Sequence, residues 1–266
     1  MKVALVRVSS YQSWYKVPSI GLGYLAGALE REGIETKIFD ARYFNITDQH
    51  LIEEIQSFSP DIAGFTAMTN EIKRTGAIAE KLKEKLAVSI VVGGCHITAL
   101  PLKTMEEFPA IDYGVIGEGE ITIVDIIKHI DGSMKIEDIE GVVYRSNGKV
   151  IQNKPRKPIM DLDSLAFPAF GHYFKQGNKS LRHKNLYYQV FTSRGCPFDC
   201  AFCMRVLGKT PRRRSVESVM DEINFAITQY GAHTINFADE VFLFNNEKTR
   251  EILTKFIEKG IPRKVR

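Results

Sequence analysis

The amino-acid sequence predicts an α/β protein in which a doubly wound parallel sheet precedes the start of a second α/β region. Over roughly the first 130 residues, short runs rich in Val and Ile alternate with amphipathic helical stretches. The runs are almost continuously apolar, which is typical of parallel strands buried on both faces. A second alternation of strand and helix begins at Tyr187. Strands that alternate with helices in this way favour a parallel sheet over a sandwich or a helical bundle.

The elements of the first half follow in order. The predicted strands are Val3–Val8, Thr36–Phe39, Ile62–Thr66, Ser89–Val92 and Tyr113–Ile116. The predicted helices are Leu22–Arg31, Asp48–Phe58, Glu71–Leu86, Leu102–Phe108 and Ile121–Ile130. Thr47 and Asn70 are suited to N-caps, and Gly33 is suited to a helix stop. Ligands of such sheets bind outside the carboxyl ends of the strands, where the strand order reverses.

The loops at these carboxyl ends have an unusual composition. The candidate ligand-binding residues in them are Gly21, Thr66, Met68, Thr69, Gly93, Gly94, His96, Gly117, Glu118 and Gly119. Glycine lets the backbone come close to a large ligand. His96 is either a hydrogen-bonded loop histidine or a ligand contact, and Cys95 is expected to be a small buried residue. Glu118 and Glu120 also suit the positive N-terminal end of the next helix.

The second half begins with a hairpin at residues 141–152 around Asn147-Gly148. A proline-containing linker follows, so we predict domains at residues 1–140 and 173–266, joined by residues 141–172. The second α/β region has strands at Tyr187–Thr192 and Thr234–Phe237. Its helices are Val216–Tyr230, capped by Ser215 and stopped by Gly231, and Asn246–Glu258.

Composition narrows the class of protein. The chain has 266 residues, of which 44% are hydrophobic and 26% charged, and a net charge of +4. This balance gives no indication of nucleic-acid binding. No apolar run is long enough to span a membrane, and the N-terminus has no signal-peptide pattern. Three of the four cysteines are clustered, which does not suit a disulfide framework and predicts a reducing compartment, the cytoplasm.

The clustered cysteines are Cys196, Cys200 and Cys203, spaced Cys-x3-Cys-x2-Cys directly after a predicted strand. Thiolates this close on one loop can converge on a single soft-metal centre. Three ligands without a fourth indicate a four-iron cluster with one iron open to a small molecule. The alternatives are a zinc knuckle or cysteines that simply lie together. Zinc usually takes a fourth Cys or His, and the nearest downstream histidine is His233.

The spacing, the Arg194-Gly195 pair before the first cysteine and Phe202 before the third resemble the cluster loop of radical S-adenosylmethionine (SAM) enzymes. In that family the open iron of a [4Fe–4S] cluster binds SAM, which is cleaved to a 5′-deoxyadenosyl radical. The resemblance implies that Phe202 lies against the adenine. It also implies that Asp239 and Glu240 bind the amino group of SAM and that Arg214 helps to seat the loop. The alternatives are capping roles for the two acids and a solvated surface position for Arg214.

The glycine-rich loops of the first half, followed by this motif, resemble the cobalamin-binding module found in front of many radical SAM domains. The resemblance implies a Rossmann-like, flavodoxin-like first domain that binds cobalamin, and a partial TIM-type barrel after it. Many cobalamin modules carry Asp-x-His-x-x-Gly, which is absent here, as it is in several members of the group. Only 63 residues follow Cys203, so the barrel is expected to be incomplete.

The expected function is that of a cobalamin-dependent radical SAM enzyme, present here as an N-terminal fragment. Its reaction would be methyl transfer to, or rearrangement of, an unactivated carbon of a small molecule or peptide. An external electron donor of the flavodoxin or ferredoxin type is implied. The first alternative is a cobalamin- or nucleotide-binding module with a non-catalytic cluster loop. The second is a radical SAM enzyme whose first domain binds no cobalamin.

Overall fold

A computed structural model describes residues 1–9, 17–174, 187–244 and 246–261. They form two compact units, Met1–Pro158 and Ile159–Arg266. Within these described ranges, no helix has both the length and the apolar character needed to cross a membrane.

The first unit is built on one seven-stranded sheet. Its strands are β1 (Lys2–Arg7), β2 (Glu35–Asp40), β3 (Ile62–Thr66), β4 (Ser89–Gly93), β5 (Tyr113–Val115), β6 (Val142–Ser146) and β7 (Lys149–Gln152). Their order is β2-β1-β3-β4-β5-β6-β7; the first five run parallel and the last two antiparallel. The order reverses at β1, which has β2 on one side and β3 on the other. The predicted doubly wound α/β sheet is therefore confirmed.

The parallel strands form where the sequence is apolar on both faces. All four residues of Val3–Val6 are at most 1% exposed, and Ile62–Phe65 of β3 are buried in the same way. A strand that hides both faces gains roughly 25 cal/mol for each Å² of apolar surface removed from water. This burial is why continuous apolar runs, rather than alternating ones, predict the sheet.

Seven helices accompany the described part of this sheet. They are α1 (Ile20–Arg31), α2 (Ala41–Phe44), α3 (Asp48–Phe58), α4 (Ile72–Lys83), α5 (Cys95–Ala99), α6 (Pro101–Glu107) and α7 (Glu120–Ile130). Ser19 accepts a hydrogen bond from the Leu22 N–H and so begins α1. Thr47 caps α3 by accepting from the His50 N–H, as its sequence position predicts.

Two local predictions are wrong. Asn70 does not cap α4; the cap position is Glu71, whose carboxylate accepts from the Met68 N–H at 3.0 Å and closes the turn before the helix begins. The loop predicted after β4 contains the short helix α5, because Gly94 turns the chain sharply and the Thr98 N–H then bonds back to the Gly94 carbonyl at 3.2 Å.

The predicted hairpin is present as β6 and β7. Asn147 and Gly148 have φ values of 48° and 74°, the left-handed pair that a tight hairpin turn requires. The hairpin continues the sheet of the first unit, since Tyr144 of β6 pairs with Tyr113 of β5.

The second unit contains two two-stranded sheets among its described residues. Its elements are α8 (Gly171–Phe174), β8 (Tyr187–Val190), β9 (Ser193–Arg194), β10 (Arg212–Arg213), α9 (Val216–Tyr230), β11 (Thr234–Phe237) and α10 (Asn246–Glu258). β8 and β11 are parallel, with α9 connecting them in sequence, whereas β9 and β10 are antiparallel. Helix α9 has its predicted bounds, with Ser215 at the N-cap and Gly231 at φ 67° after its end.

A test of the packing in the first unit uses Gly76 on α4. A Cβ at this position would lie 2.3 Å from the Phe108 ring. Overpacking outweighs the better helix propensity of alanine, so we expect Gly76→Ala to lower the free energy of unfolding by roughly 1–2 kcal/mol. Urea denaturation measures the change. The control is Gly21→Ala on α1, where a Cβ meets nothing within 4 Å; equal losses in both variants would contradict the packing argument.

Candidate functional site

The cysteine loop of the second unit closes on itself through its backbone. The Cys196 N–H donates to the Gly208 carbonyl at 3.1 Å, and the Cys203 N–H donates to the Cys200 carbonyl at 3.0 Å. Gly195 has a φ of 93°, and a Cβ there would lie 2.5 Å from the Thr210 carbonyl oxygen. Only glycine fits this close approach, so the residue before Cys196 fixes the start of the loop.

The three clustered cysteines lie at the surface of this loop. Cys196 is partly buried, Cys200 and Cys203 are exposed, and none forms a disulfide. Phe202 is 94% exposed. Within the described ranges, no three His, Cys, Asp or Glu side chains lie close enough together to hold a metal ion. The thiols therefore share a loop without converging in this structure.

Asp239 follows β11 and contacts the chain just before the cysteine loop. Its Oδ1 accepts from the Thr192 hydroxyl at 2.8 Å, the Ser193 hydroxyl at 2.5 Å and the Thr192 N–H at 3.2 Å. The register of the parallel strands, Val190 opposite Phe237, brings these residues together. Both predicted acids thus lie beside the start of the loop, since Glu240 is the next residue.

Glu240 differs from Asp239 in its surroundings. Desolvation raises the pKa of the Glu240 carboxyl, and the neighbouring Asp239 charge raises it further. The backbone N–H groups of Glu240 and Gly195, and the charge of Arg194, act in the opposite direction. A carboxyl with a raised pKa beside the loop favours contact with a cation.

Arg214 is buried rather than solvated. Its guanidinium pairs with Glu222 of α9 and donates to the Phe191 carbonyl at 3.1 Å and the Ser218 hydroxyl at 2.8 Å. Tyr188 also donates to Glu222, at 3.2 Å. Burial raises the pKa of Glu222, and the arginine charge opposes that shift. Arg214 is therefore anchored between helix α9 and the segment that leads to the loop.

In the first unit, the candidate loops meet at one edge of the sheet. Arg7 pairs with Thr66, and Thr66 pairs with Gly93, so three parallel strands end at the same level. The loops interlock there: the Ala67 N–H donates to the Gly93 carbonyl at 3.0 Å, and the His96 N–H donates to the Ala67 carbonyl at 3.2 Å.

Gly94 makes this interlock possible. Its φ is 98°, and a Cβ there would lie 2.9 Å from the Ala67 carbonyl oxygen. The tight turn leaves Met68, Thr69 and Gly93 at the edge, with the first two exposed. Met68 is 53% exposed, which places an apolar side chain at the surface of the candidate pocket.

His96 is buried, and its Nδ1 lies 3.2 Å from the Thr69 hydroxyl. Burial lowers the pKa of the imidazole, while the Glu107 charge partly opposes this. The pKa of the neighbouring Cys95 is raised, mainly by burial and also by the Glu71 charge. The structure thus places His96 as a hydrogen-bonded loop histidine, and both groups are favoured in their neutral forms.

The loop after β5 completes the edge. The Gly117 N–H donates to the Thr98 hydroxyl at 3.1 Å, and Gly117 has a φ of 79°. Glu118 and Gly119 are partly buried. Gly21 is exposed in the first turn of α1. These loops form a surface made largely of backbone, which suits a broad ligand.

Several residues of these sites were not singled out from the sequence. They are Thr98 in the first unit and Thr192, Ser193 and Glu222 in the second. Ser193 and Asp239 are 46 positions apart, so no local spacing signals their contact. Only the placement of Thr192 and Ser193 directly before the cysteine motif could have drawn attention to them.

Comparisons with known proteins agree with this arrangement. Residues 11–127 match the family model described as the B12 binding domain. The chain is 34% identical to an uncharacterized methyltransferase of Pyrococcus horikoshii over 92% of its own length and 53% of the relative. The chain belongs to the radical SAM proteins that carry an N-terminal B12-binding domain.

Other members of this group of B12-binding radical SAM proteins match over a similar span. Cytidylyl-2-hydroxyethylphosphonate methyltransferase of Streptomyces wedmorensis is 26% identical over 91% of the chain and 54% of the relative. Anaerobic magnesium-protoporphyrin IX monomethyl ester cyclase of Cereibacter sphaeroides is 29% identical over 96% of the chain and 42% of the relative. The chain spans about half the length of these curated relatives.

Solved structures show the same fold. The radical SAM methyltransferase TsrM from Kitasatospora setae, solved with tryptophan and a SAM analogue bound, matches 97% of the chain and 51% of its own chain. The TM-score is 0.76 at 18% identity. OxsB, a cobalamin-dependent SAM radical enzyme solved with aqua-cobalamin bound, matches 96% of the chain and 37% of its own chain, with a TM-score of 0.78 at 22% identity. The predicted fold class is confirmed.

The buried histidine of this B12-binding radical SAM chain gives a pH prediction. Because the pKa of His96 is lower in the folded state than its usual value near 6.5, the unfolded chain binds more protons in the window just below about pH 6.5. We expect the free energy of unfolding of the first unit to fall on acidification through this window. We expect His96→Gln to flatten that fall, measured by urea denaturation at several pH values.

The control for this prediction is His50→Gln on α3. The His50 side chain is 55% exposed, so its replacement should leave the pH dependence as it is in the natural chain. A pH dependence that survives unchanged in His96→Gln would show that another group titrates.

Proposed function

We propose that the chain is the N-terminal part of a cobalamin-dependent radical SAM enzyme that transfers a methyl group to an unactivated carbon. One observation carries the proposal: a Cys-x3-Cys-x2-Cys loop at the carboxyl end of β8 follows a B12-binding domain in the same chain. Methyl transfer is preferred over rearrangement because two of the three relatives described above are named methyltransferases.

Cys196, Cys200 and Cys203 would hold a [4Fe–4S] cluster. Their donor chemistry fits, since three thiols within eight consecutive residues are soft ligands suited to iron–sulfur centres. Cys200 and Cys203 are exposed, so no core packing opposes their turning toward a common centre. When bound, the cluster supplies the electron that cleaves SAM, and an external donor of the flavodoxin or ferredoxin type would supply that electron.

The residues around the loop would bind and orient SAM. The Phe202 ring is an exposed apolar surface for the adenine. Glu240, with its carboxyl beside Gly195, would bind the amino group, and Asp239 lies next to it. Arg214 supports the loop from behind through the Phe191 carbonyl.

The edge of the first sheet would hold cobalamin. Gly94 and Gly117 keep the backbone low at this edge, and Met68 presents an exposed thioether side chain there. His96 is directed to Thr69 rather than to the pocket, so cobalt coordination by this histidine is not part of the proposal. The substrate is a small molecule or peptide of unspecified structure.

The reducing compartment that such a cluster needs is the cytoplasm, which we include in the proposal. All four cysteines are outside disulfides, in keeping with that placement. The domain division at residues 140 and 172 also stays a proposal.

The cysteine assignment predicts the outcome of three substitutions. After anaerobic reconstitution with iron and sulfide, Cys196→Ala, Cys200→Ala and Cys203→Ala should each lose the cluster, because each removes one of three ligands. Dithionite reduction with SAM should then give no 5′-deoxyadenosine by mass spectrometry. The chain provides its own control in Cys95, the fourth cysteine. Cys95→Ala should keep the cluster, and equal iron content in all four variants would refute the assignment.

The cobalamin assignment is tested at Gly94. Both Gly94→Ala and the hairpin control Gly148→Ala place alanine at a positive φ, 98° and 74° respectively, and each should lower the free energy of unfolding by about 1 kcal/mol. Only Gly94→Ala should weaken hydroxocobalamin binding, measured by absorbance titration, because its Cβ disturbs the Ala67 backbone at the edge. Equal cobalamin affinity in the two variants would contradict the placement.

A further inference from the structure

The chain that enters the cysteine loop is held from one side by a single carboxylate. Asp239 Oδ1 accepts hydrogen bonds from three donors, the Thr192 N–H, the Thr192 hydroxyl and the Ser193 hydroxyl, and Oδ2 lies 3.3 Å from the Thr192 N–H. Thr192 and Ser193 are 1% and 3% exposed. Hydrogen bonds to an ionised acceptor are about twice as strong as neutral ones.

The same segment is held from the other side by the element after the loop. The Arg214 N–H donates to the Thr192 carbonyl at 2.9 Å, and the Arg214 guanidinium donates to the Phe191 carbonyl at 3.1 Å. Glu222, fully buried, pairs with that guanidinium. Thr192 thus has its N–H and hydroxyl bound by Asp239 and its carbonyl bound by Arg214.

Thr192 lies four positions before the first cysteine, so its placement determines where the loop starts. Arg194 and Ser193 form β9, which pairs with β10 at the far end of the loop. A shift at Thr192 would therefore move Gly195 away from the Thr210 carbonyl, which it approaches closely.

We propose that Asp239 is a positioning residue that holds the Thr192–Ser193 segment, and with it the cysteine loop, while the neighbouring Glu240 is the carboxylate that meets SAM. The inference rests on the proposed function for its SAM part, but the hold on Thr192 is a property of the protein alone. The division of roles follows from the contacts: Oδ1 of Asp239 is already occupied by three donors, whereas Glu240 shares only backbone N–H groups.

The first experiment uses the metal-free protein. Hydrogen–deuterium exchange is followed by mass spectrometry in peptides that cover residues 187–195. Asp239→Ala should increase the opening of this segment about tenfold, the equivalent of one lost hydrogen bond to a charged acceptor. Thr192→Val should increase it too, and the double variant should add little, because both changes remove the same contact. The control Asp221→Ala, at an exposed position on α9, should leave exchange unchanged.

The second experiment separates positioning from SAM binding in the reconstituted protein. Asp239→Ala should release iron to a chelator about tenfold faster, while the SAM dissociation constant of the loaded fraction stays as it is in the natural chain. Glu240→Gln should show the reverse: unchanged iron release and weaker SAM binding. Asp239→Asn should restore much of the iron retention, because its amide oxygen can still accept from the two hydroxyls.

Two results would overturn the proposal. One is exchange in Asp239→Ala that matches the natural chain. The other is normal iron retention in Asp239→Ala together with the same loss of SAM affinity that Glu240→Gln shows, which would make Asp239 a SAM ligand. A natural chain that takes up no cluster would refute the proposed function instead. The exchange experiment would still decide the role of Asp239.

Discussion

The parallel hydrogen-bond ladder is the constraint on which both candidate sites depend. Parallel strands place their carboxyl ends at one edge, so the loops that follow them meet regardless of their distance in sequence. In the first unit this register brings Thr66 and Gly93 to the same level. In the second, pairing of Val190 with Phe237 brings Thr192 within hydrogen-bond reach of Asp239. The chemistry of each site is added to an edge that the backbone has already formed.

The two sites are built from different materials. The edge of the first sheet is mostly backbone, because Gly94 must pass within van der Waals contact of the Ala67 carbonyl. The entry to the cysteine loop is instead held by charged side chains. Burying Glu222 and Arg214 is costly unless both are paired and hydrogen-bonded, and Tyr188 and the Phe191 carbonyl provide those partners. Breaking such a network would leave an uncompensated buried charge, so it fixes one arrangement of the loop.

The sequence predicted the fold in proportion to how much burial each element needed. Apolar runs such as Val3–Val6 identified the strands, and the Ser215 and Gly231 signals gave the bounds of α9. Predictions failed where the decisive bonds are local and geometric. Asn70 has a side chain suited to capping, yet the Glu71 carboxylate closes the turn first. Helix α5 forms because of the turn at Gly94, which an apolar pattern cannot reveal.

The sequence by itself determined the chemistry that this protein can offer: three clustered thiols, glycine-rich loops after buried strands, and an acidic pair after β11. These are properties of residue type and local spacing. Only the tertiary structure decided how the acidic pair is divided and that Arg214 is buried on Glu222 rather than solvated. It also decided that His96 bonds to Thr69. The physical reason is that hydrogen-bond partners and desolvation depend on which distant segments the sheet brings together, and local sequence carries no record of that.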